Sequence, residues 1–139
     1  MSKILIVDDS PDLVAFLKIL LERKGNEVET AATGAELKAK LLVFTPHVIL
    51  LDVNLRNESG RDICMEIKKN KLTNHIRVIL ISASSVLLQN YSECEADAVI
   101  EKPFDTIMLF STIERILMPL PWIVAPETYF NPSHQLRKI

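Results

Sequence analysis

The stretch His47-Val48-Ile49-Leu50-Leu51-Asp52 is a continuous run of strand-forming apolar residues that stops at a carboxylate. A strand with one wet face alternates apolar and polar residues, whereas an unbroken Val/Ile/Leu run belongs to a strand covered on both faces. The run therefore predicts a parallel sheet sandwiched between helices. Ligands of such sheets bind just beyond the carboxyl ends of the strands, which is where Asp52 stands.

Toward the N-terminus, Lys3-Ile4-Leu5-Ile6-Val7 is a second run of this kind and ends on Asp8-Asp9. Ser10 and Pro11 then supply an N-cap and a first helical position. Leu13, Phe16, Leu17, Leu20 and Leu21 follow at helical spacing, and Lys24-Gly25 is the stop signal. Glu27 to Ala31 reads as a short, partly exposed strand. Thr33-Gly34-Ala35-Glu36 is a capping box for a helix carrying Leu37, Leu41 and Leu42, and Pro46 ends that unit.

Beyond Asp52, a loop of Asn54, Arg56, Asn57, Glu58 and Ser59 leads to Gly60 and a helix with Ile63, Cys64 and Ile67 inward. Arg77-Val78-Ile79-Leu80-Ile81 is a third buried-type strand, closed by Ser82-Ala83-Ser84-Ser85. Residues 86–95 are expected to form a helix. Ala98-Val99-Ile100-Glu101 is the last strand, running into Lys102-Pro103, and Asp105 caps a helix with Leu109, Ile113, Ile116 and Leu117 as its apolar stripe. Five strand–helix alternations with right-handed crossovers give a doubly wound α/β fold.

With 139 residues the chain fits one domain. A hydrophobic content of 48% and a charged content of 24% are ordinary for a globular protein, and 18 acids against 16 bases leave a net charge of -2 without long like-charged blocks. That balance points away from nucleic acid or an anionic membrane as main partner. The opening apolar run is too short for a signal peptide or a membrane span, so a cytoplasmic location is expected. Cys64 and Cys94 lack CxxC spacing and read as reduced thiols packed as small hydrophobes. His47, His75 and His134 have no ligand-like spacing and read as structural or exposed.

Parallel strands share a direction, so the residues after each strand gather on one rim: Asp8, Asp9, Asp52, Ser82 and Lys102. Three carboxylates held together repel one another and stay ionised most easily around a cation. A hard divalent ion such as Mg2+ (or Mn2+) suits them, since no Cys or His accompanies them to favour zinc. One carboxylate free to attack, a hydroxyl and a lysine complete the parts needed to place a phosphoryl group on Asp52. Lys102 would act as a point charge on phosphate oxygens and Ser82 as a hydrogen-bond donor. Taken singly, Asp8 or Asp9 serves as a turn or cap acid, Ser82 as a loop hydroxyl and Lys102 as a solvated charge, and Asp52 divides evenly between turn former and site residue. Gly60 serves a positive backbone angle or close packing and is not counted as catalytic. It is the set that argues for a site.

The set resembles that of a known family. Ile4-Leu5-Ile6-Val7-Asp8-Asp9, Val48-Ile49-Leu50-Leu51-Asp52, Gly60, Ile79-Leu80-Ile81-Ser82-Ala83 and Glu101-Lys102-Pro103-Phe104 occur in order, and the chain resembles the CheY-like receiver domain of two-component response regulators. The resemblance implies a flavodoxin-like fold of strand order 2-1-3-4-5. It implies phosphorylation of Asp52 by a histidine kinase or histidine phosphotransfer protein, and Mg2+ held by Asp9 directly, by Asp8 through water or as an auxiliary ligand, and by Asp52 and the backbone carbonyl of Asn54. It further implies a phosphoryl group held by Ser82, the Ala83 amide and Lys102, and a cis bond before Pro103.

Three positions depart from the family pattern. Leu55-Arg56 replaces the frequent Met-Pro after the phosphorylated aspartate, Val99 replaces the usual aromatic three residues before the lysine, and the interval from Ser82 to Lys102 is short. The leading expectation is a phosphoacceptor switch rather than a metabolic enzyme, one that passes its signal without a separate output domain to a downstream partner left unnamed. A constitutive interaction module with little response to phosphate is the alternative, and a phosphohydrolase a third class that lacks a dedicated second acid. The receiver unit is expected over 1–118. Residues 119–139 form a Pro-rich tail with Trp122, Ile123, Val124, Tyr129 and Phe130, too apolar for an ordinary linker and expected to dock on the domain or on a second copy, as a homodimer.

Overall fold

A computed structural model of the chain describes residues 1–118, so the expected tail and His134 lie outside the described residues. The element order is β1 (Lys3–Val7), α1 (Pro11–Arg23), β2 (Glu27–Ala31), α2 (Gly34–Leu41), β3 (Val48–Asp52), β4 (Asn54–Leu55), β5 (Glu58–Ser59), α3 (Gly60–Lys69), β6 (Arg77–Ser82), α4 (Ser85–Leu88), a 3-10 turn (Tyr91–Cys94), β7 (Ala98–Glu101) and α5 (Thr106–Leu117). Five strands form one parallel sheet in the order β2-β1-β3-β6-β7, which is the expected 2-1-3-4-5 order of a flavodoxin-like fold.

The unbroken apolar runs are buried on both faces because alternate side chains enter two different cores. Leu5, Val7, Ile49, Leu51, Val78 and Leu80 pack against α2, α3 and the 3-10 turn through residues such as Leu37, Ile63 and Cys94. Ile4, Ile6, Val48, Leu50, Ile79 and Ile81 pack on the other side against Leu17 and Leu21 of α1 and Leu109 and Ile113 of α5. The expected caps form: Ser10 accepts from the Leu13 amide, Asp105 from the Met108 amide and Thr33 from the Glu36 amide. The Glu36 carboxylate returns to the Ala32 amide rather than to that of Thr33.

Four local expectations need correction. Phe16 is 54% exposed and Leu42 is 85% exposed, so neither belongs to the core. A stripe of five apolar residues on a 13-residue helix is wider than the face that one sheet covers, and Leu42 follows the last turn of α2. The expected loop after Asp52 is an antiparallel hairpin of two-residue strands, turned at Arg56 and at Asn57, whose φ of 62° suits asparagine, one of the few side chains that visit this region readily. The helix expected over 86–95 breaks at Asn90, which has φ 53°, into the single turn α4 and the 3-10 turn. Arg61 of α3 donates to the carbonyls of Leu87, Gln89 and Asn90, satisfying acceptors that a continuing helix would have used.

Candidate functional site

The register of the sheet builds the acidic rim. Val7 lies opposite Leu51, so Asp8 and Asp52 leave adjacent strands at nearly the same level; Asp52 lies opposite Ile81, and Ser82 opposite Glu101, so Ser82 and Lys102 follow in step. Asp8, Asp52 and Ser82 are buried, at 6%, 6% and 2% exposure. Asp8, Asp9 and Asp52 each present one carboxylate oxygen within 4.8 Å of the others.

Buried anions require compensation, and each finds it. Lys102 Nζ lies 3.2 Å from Asp8 Oδ2 and 3.6 Å from Asp52 Oδ2. The Ser10 amide donates to Asp8 Oδ1, the Asn54 amide to Asp52 Oδ1, and the Arg56 amide to Asp9 Oδ2. Ser82 Oγ accepts from the Ser84 amide, which orients the hydroxyl oxygen at the end of β6. Burial pushes the Asp52 carboxyl above its ordinary value of 3.8; the Asn54 amide pulls it back, Asp8 raises it and Lys102 lowers it. A cation placed among the acids would oppose the upward push.

The sequence-derived residues thus come together. Asn54 contributes its backbone at Asp52 while its side chain is exposed, and Ala83 follows Ser82 at the exposed rim. The Lys102–Pro103 bond is cis. Gly60 answers to close packing: a Cβ there would collide with the carbonyl oxygen of Asp52 and stand 2.8 Å from Val53 Cα. Beside Asp8 and Asp9 opens a hollow of about 160 Å3, also lined by Thr30, Ala31 and Glu36. It suits a small ion or group better than an organic substrate, whose pockets span about 300–1,000 Å3.

Sequence reasoning missed the tie between the hairpin and α2. Glu58 Oε2 accepts from the Gly34 amide at 3.0 Å, placing an anion on the first turn of α2 and anchoring the segment that carries Asn54 and Arg56. Its sequence separation of 24 residues leaves no local signal. The cysteines are as expected: both are free and buried, and burial beside Cys94 pushes the Cys64 thiol up to about 12.

Residues 4–114 match the response regulator receiver domain. The chain belongs to this family. Receiver domains are the phosphoacceptor switches of two-component systems, and they bind Mg2+ at an acidic site. Response regulator ArlR of Staphylococcus saprophyticus is 35% identical over 123 residues, covering 87% of this chain and 54% of that protein. The alkaline phosphatase synthesis transcriptional regulatory protein PhoP of Bacillus subtilis is 32% identical over 115 residues, covering 83% and 48%. The chain therefore spans about half the length of these relatives. Response regulator TrrA of Thermotoga maritima, solved in complex with Mg2+-BeF, superposes with a TM-score of 0.74 at 30% identity, covering 84% of this chain and 99% of that one.

Proposed function

We propose that this receiver domain accepts a phosphoryl group on Asp52 from a phosphohistidine of a histidine kinase or histidine phosphotransfer protein. The observation that carries it is the joint geometry of the rim: three carboxylates within 4.8 Å and a lysine ammonium between two of them. Asp52 Oδ2 attacks phosphorus as the P–N bond breaks, and the departing imidazole takes up a proton. The Asn54 amide holds Oδ1, leaving the second oxygen toward Lys102 and the incoming group. Lys102 then follows the added negative charge, while Ser82 Oγ and the Ala83 amide receive its oxygens.

The donor set fits Mg2+ or Mn2+: Asp8, Asp9 and Asp52, with the Asn54 carbonyl, offer only hard oxygens. When bound, the ion neutralises charge on the transferring group. The receiver unit in this reading is residues 1–118. Among the described residues no helix is long and apolar enough to cross a membrane. The expectation of no nucleic-acid contact is confined to the receiver unit, since a relative about twice as long is by name a transcriptional regulator.

Val99 favours one second reading, a constitutive interaction module, because a half-buried valine stands where the family pattern has an aromatic switch. Incubation with a small phosphodonor and Mg2+, followed by intact-mass measurement, separates the two. An adduct of one phosphoryl group that disappears in Asp52→Asn is expected. No adduct in the wild type would leave the interaction module, and sustained phosphate release at enzymatic turnover would point to a hydrolase.

A further inference from the structure

The sheet end opposite the acidic rim carries exposed apolar surface that the switch does not use. Met1 precedes β1, Leu42 and Val43 follow α2, Leu72 follows α3 and Met118 ends α5; their exposures run from 65% to 87%. Between the last turns of α1 and α5 at this end lies a groove of about 340 Å3, floored by Leu21, Phe110, Ile113 and Leu117 and rimmed by Lys24 and Glu114. That volume is at the low end of cavities that hold small organic groups. Lys24 Nζ stands 4.6 Å from the Phe110 ring centroid, so the aromatic wall is already polarised by a cation.

Met118 lines the same groove, and 21 residues follow it. Trp122 is four residues further on, within about 14 Å at full extension. The helix α5 ends at Leu117, and Met118 leaves it in an extended conformation at the groove wall. The tail brings Trp122, Ile123 and Val124 together, whereas the groove lacks an apolar lid among the described residues.

We propose that the chain's own segment Trp122-Ile123-Val124 docks in the α1–α5 groove, among Leu21, Phe110, Ile113 and Leu117. The groove is thereby the binding surface for the C-terminal tail, on the far side of the sheet from Asp52. Docking in cis is favoured over docking on a second copy because the tether starts at the groove wall, which raises the local concentration of the segment.

Trp122 is the only tryptophan, so its emission reports the contact directly. In the full chain it should be blue-shifted relative to a free tryptophan amide and independent of protein concentration. A nitroxide attached at Glu114→Cys should quench it several-fold more than one at Glu93→Cys; both sites are exposed, and the native thiols are buried. Trp122→Ser, which alters only the tail, should lower Tm by as much as truncation after Met118. Emission of a solvated indole, a blue shift that appears only with dimer formation, or equal quenching from positions 114 and 93 would each overturn the assignment.

Discussion

Lys102 holds its ammonium 3.2 Å from Asp8 Oδ2, and from that position it also reaches within 3.6 Å of Asp52. The lysine spans 94 residues of sequence to neutralise an acid pair that would otherwise repel. Because three carboxylates remain without it, Lys102→Ala should keep Mg2+ binding but lose most of the structural response to phosphorylation. Titration of Mg2+ together with a chemical-shift comparison of the phosphorylated variant checks both halves. A variant that changes shape like the wild type would assign the charge-following role elsewhere.

Asp9 plays a different part on the same rim, being the least buried of the three acids. Its Oδ2 is bound only by the Arg56 amide, so its other oxygen is available to a cation. Asp9→Ala should therefore lower Mg2+ affinity by at least about tenfold, the scale of one lost hard ligand at about 1.4 kcal/mol, and slow phosphorylation in parallel. Unchanged affinity by calorimetry would remove Asp9 from the ion's ligands.

The raised pKa of Asp52 has a consequence for stability. A carboxyl whose folded-state pKa lies above its unfolded value binds its proton more tightly when folded, so stability falls as pH rises through the interval between the two. That interval starts near 3.8 and extends upward. Asp52→Asn removes the penalty and should melt higher than the wild type at neutral pH, with the difference shrinking as pH falls toward 4. Thermal melts at a series of pH values in the absence of Mg2+ read this out, and a constant difference would contradict it.

Much of this was legible in the sequence for a physical reason. Doubly buried strands leave unbroken apolar runs, and four of the five sheet strands end at or just before a change to Asp, Ser or Lys. Caps at Ser10, Thr33 and Asp105 are local and declare themselves. What escaped was set by contacts distant in sequence. Glu58 reaches Gly34, Arg61 collects carbonyls from the α4 region, and Lys68 pairs at 2.8 Å with Asp97 on the rim opposite the site. The outward turn of Phe16 is likewise decided by how much of α1 the sheet can cover.

Lys68 is the structural counterpart of Lys102. Its side chain is 7% exposed, and besides Asp97 it donates to the Ile76 carbonyl, while Asp97 also accepts from the Val78 amide. Removing Lys68 leaves Asp97 with Arg77 Nη1 at 3.4 Å and the Val78 amide, so Lys68→Met should destabilise by about 2 kcal/mol, the scale of a hydrogen bond to a charged group, without altering Mg2+ affinity. Denaturant unfolding with and without Mg2+ distinguishes this from a change at the acidic rim.

Val99 bears on where phosphorylation of Asp52 would be felt. It is half-buried, packs on the core shared with α3, and lines a cavity of about 530 Å3 together with Leu88, Met108, Thr112 and Arg115. A β-branched aliphatic has a single stiff rotor and no hydroxyl, so it cannot follow a movement of Ser82 as a long aromatic could. The response should therefore concentrate in the β4–β5 hairpin, whose Asn54 and Arg56 amides bind Asp52 and Asp9, and in the stretch from Ala83 to Asn90, whose Ser84 amide binds Ser82. Arg61 links these two regions, from the first turn of α3 to the carbonyls around α4. Amide exchange should change on phosphorylation in residues 53–59 and 83–90 and remain level through β7, and Arg61→Ala should uncouple the second region from the first. Changes centred on Val99 and β7, with both loops silent, would show that the aliphatic residue transmits the signal after all.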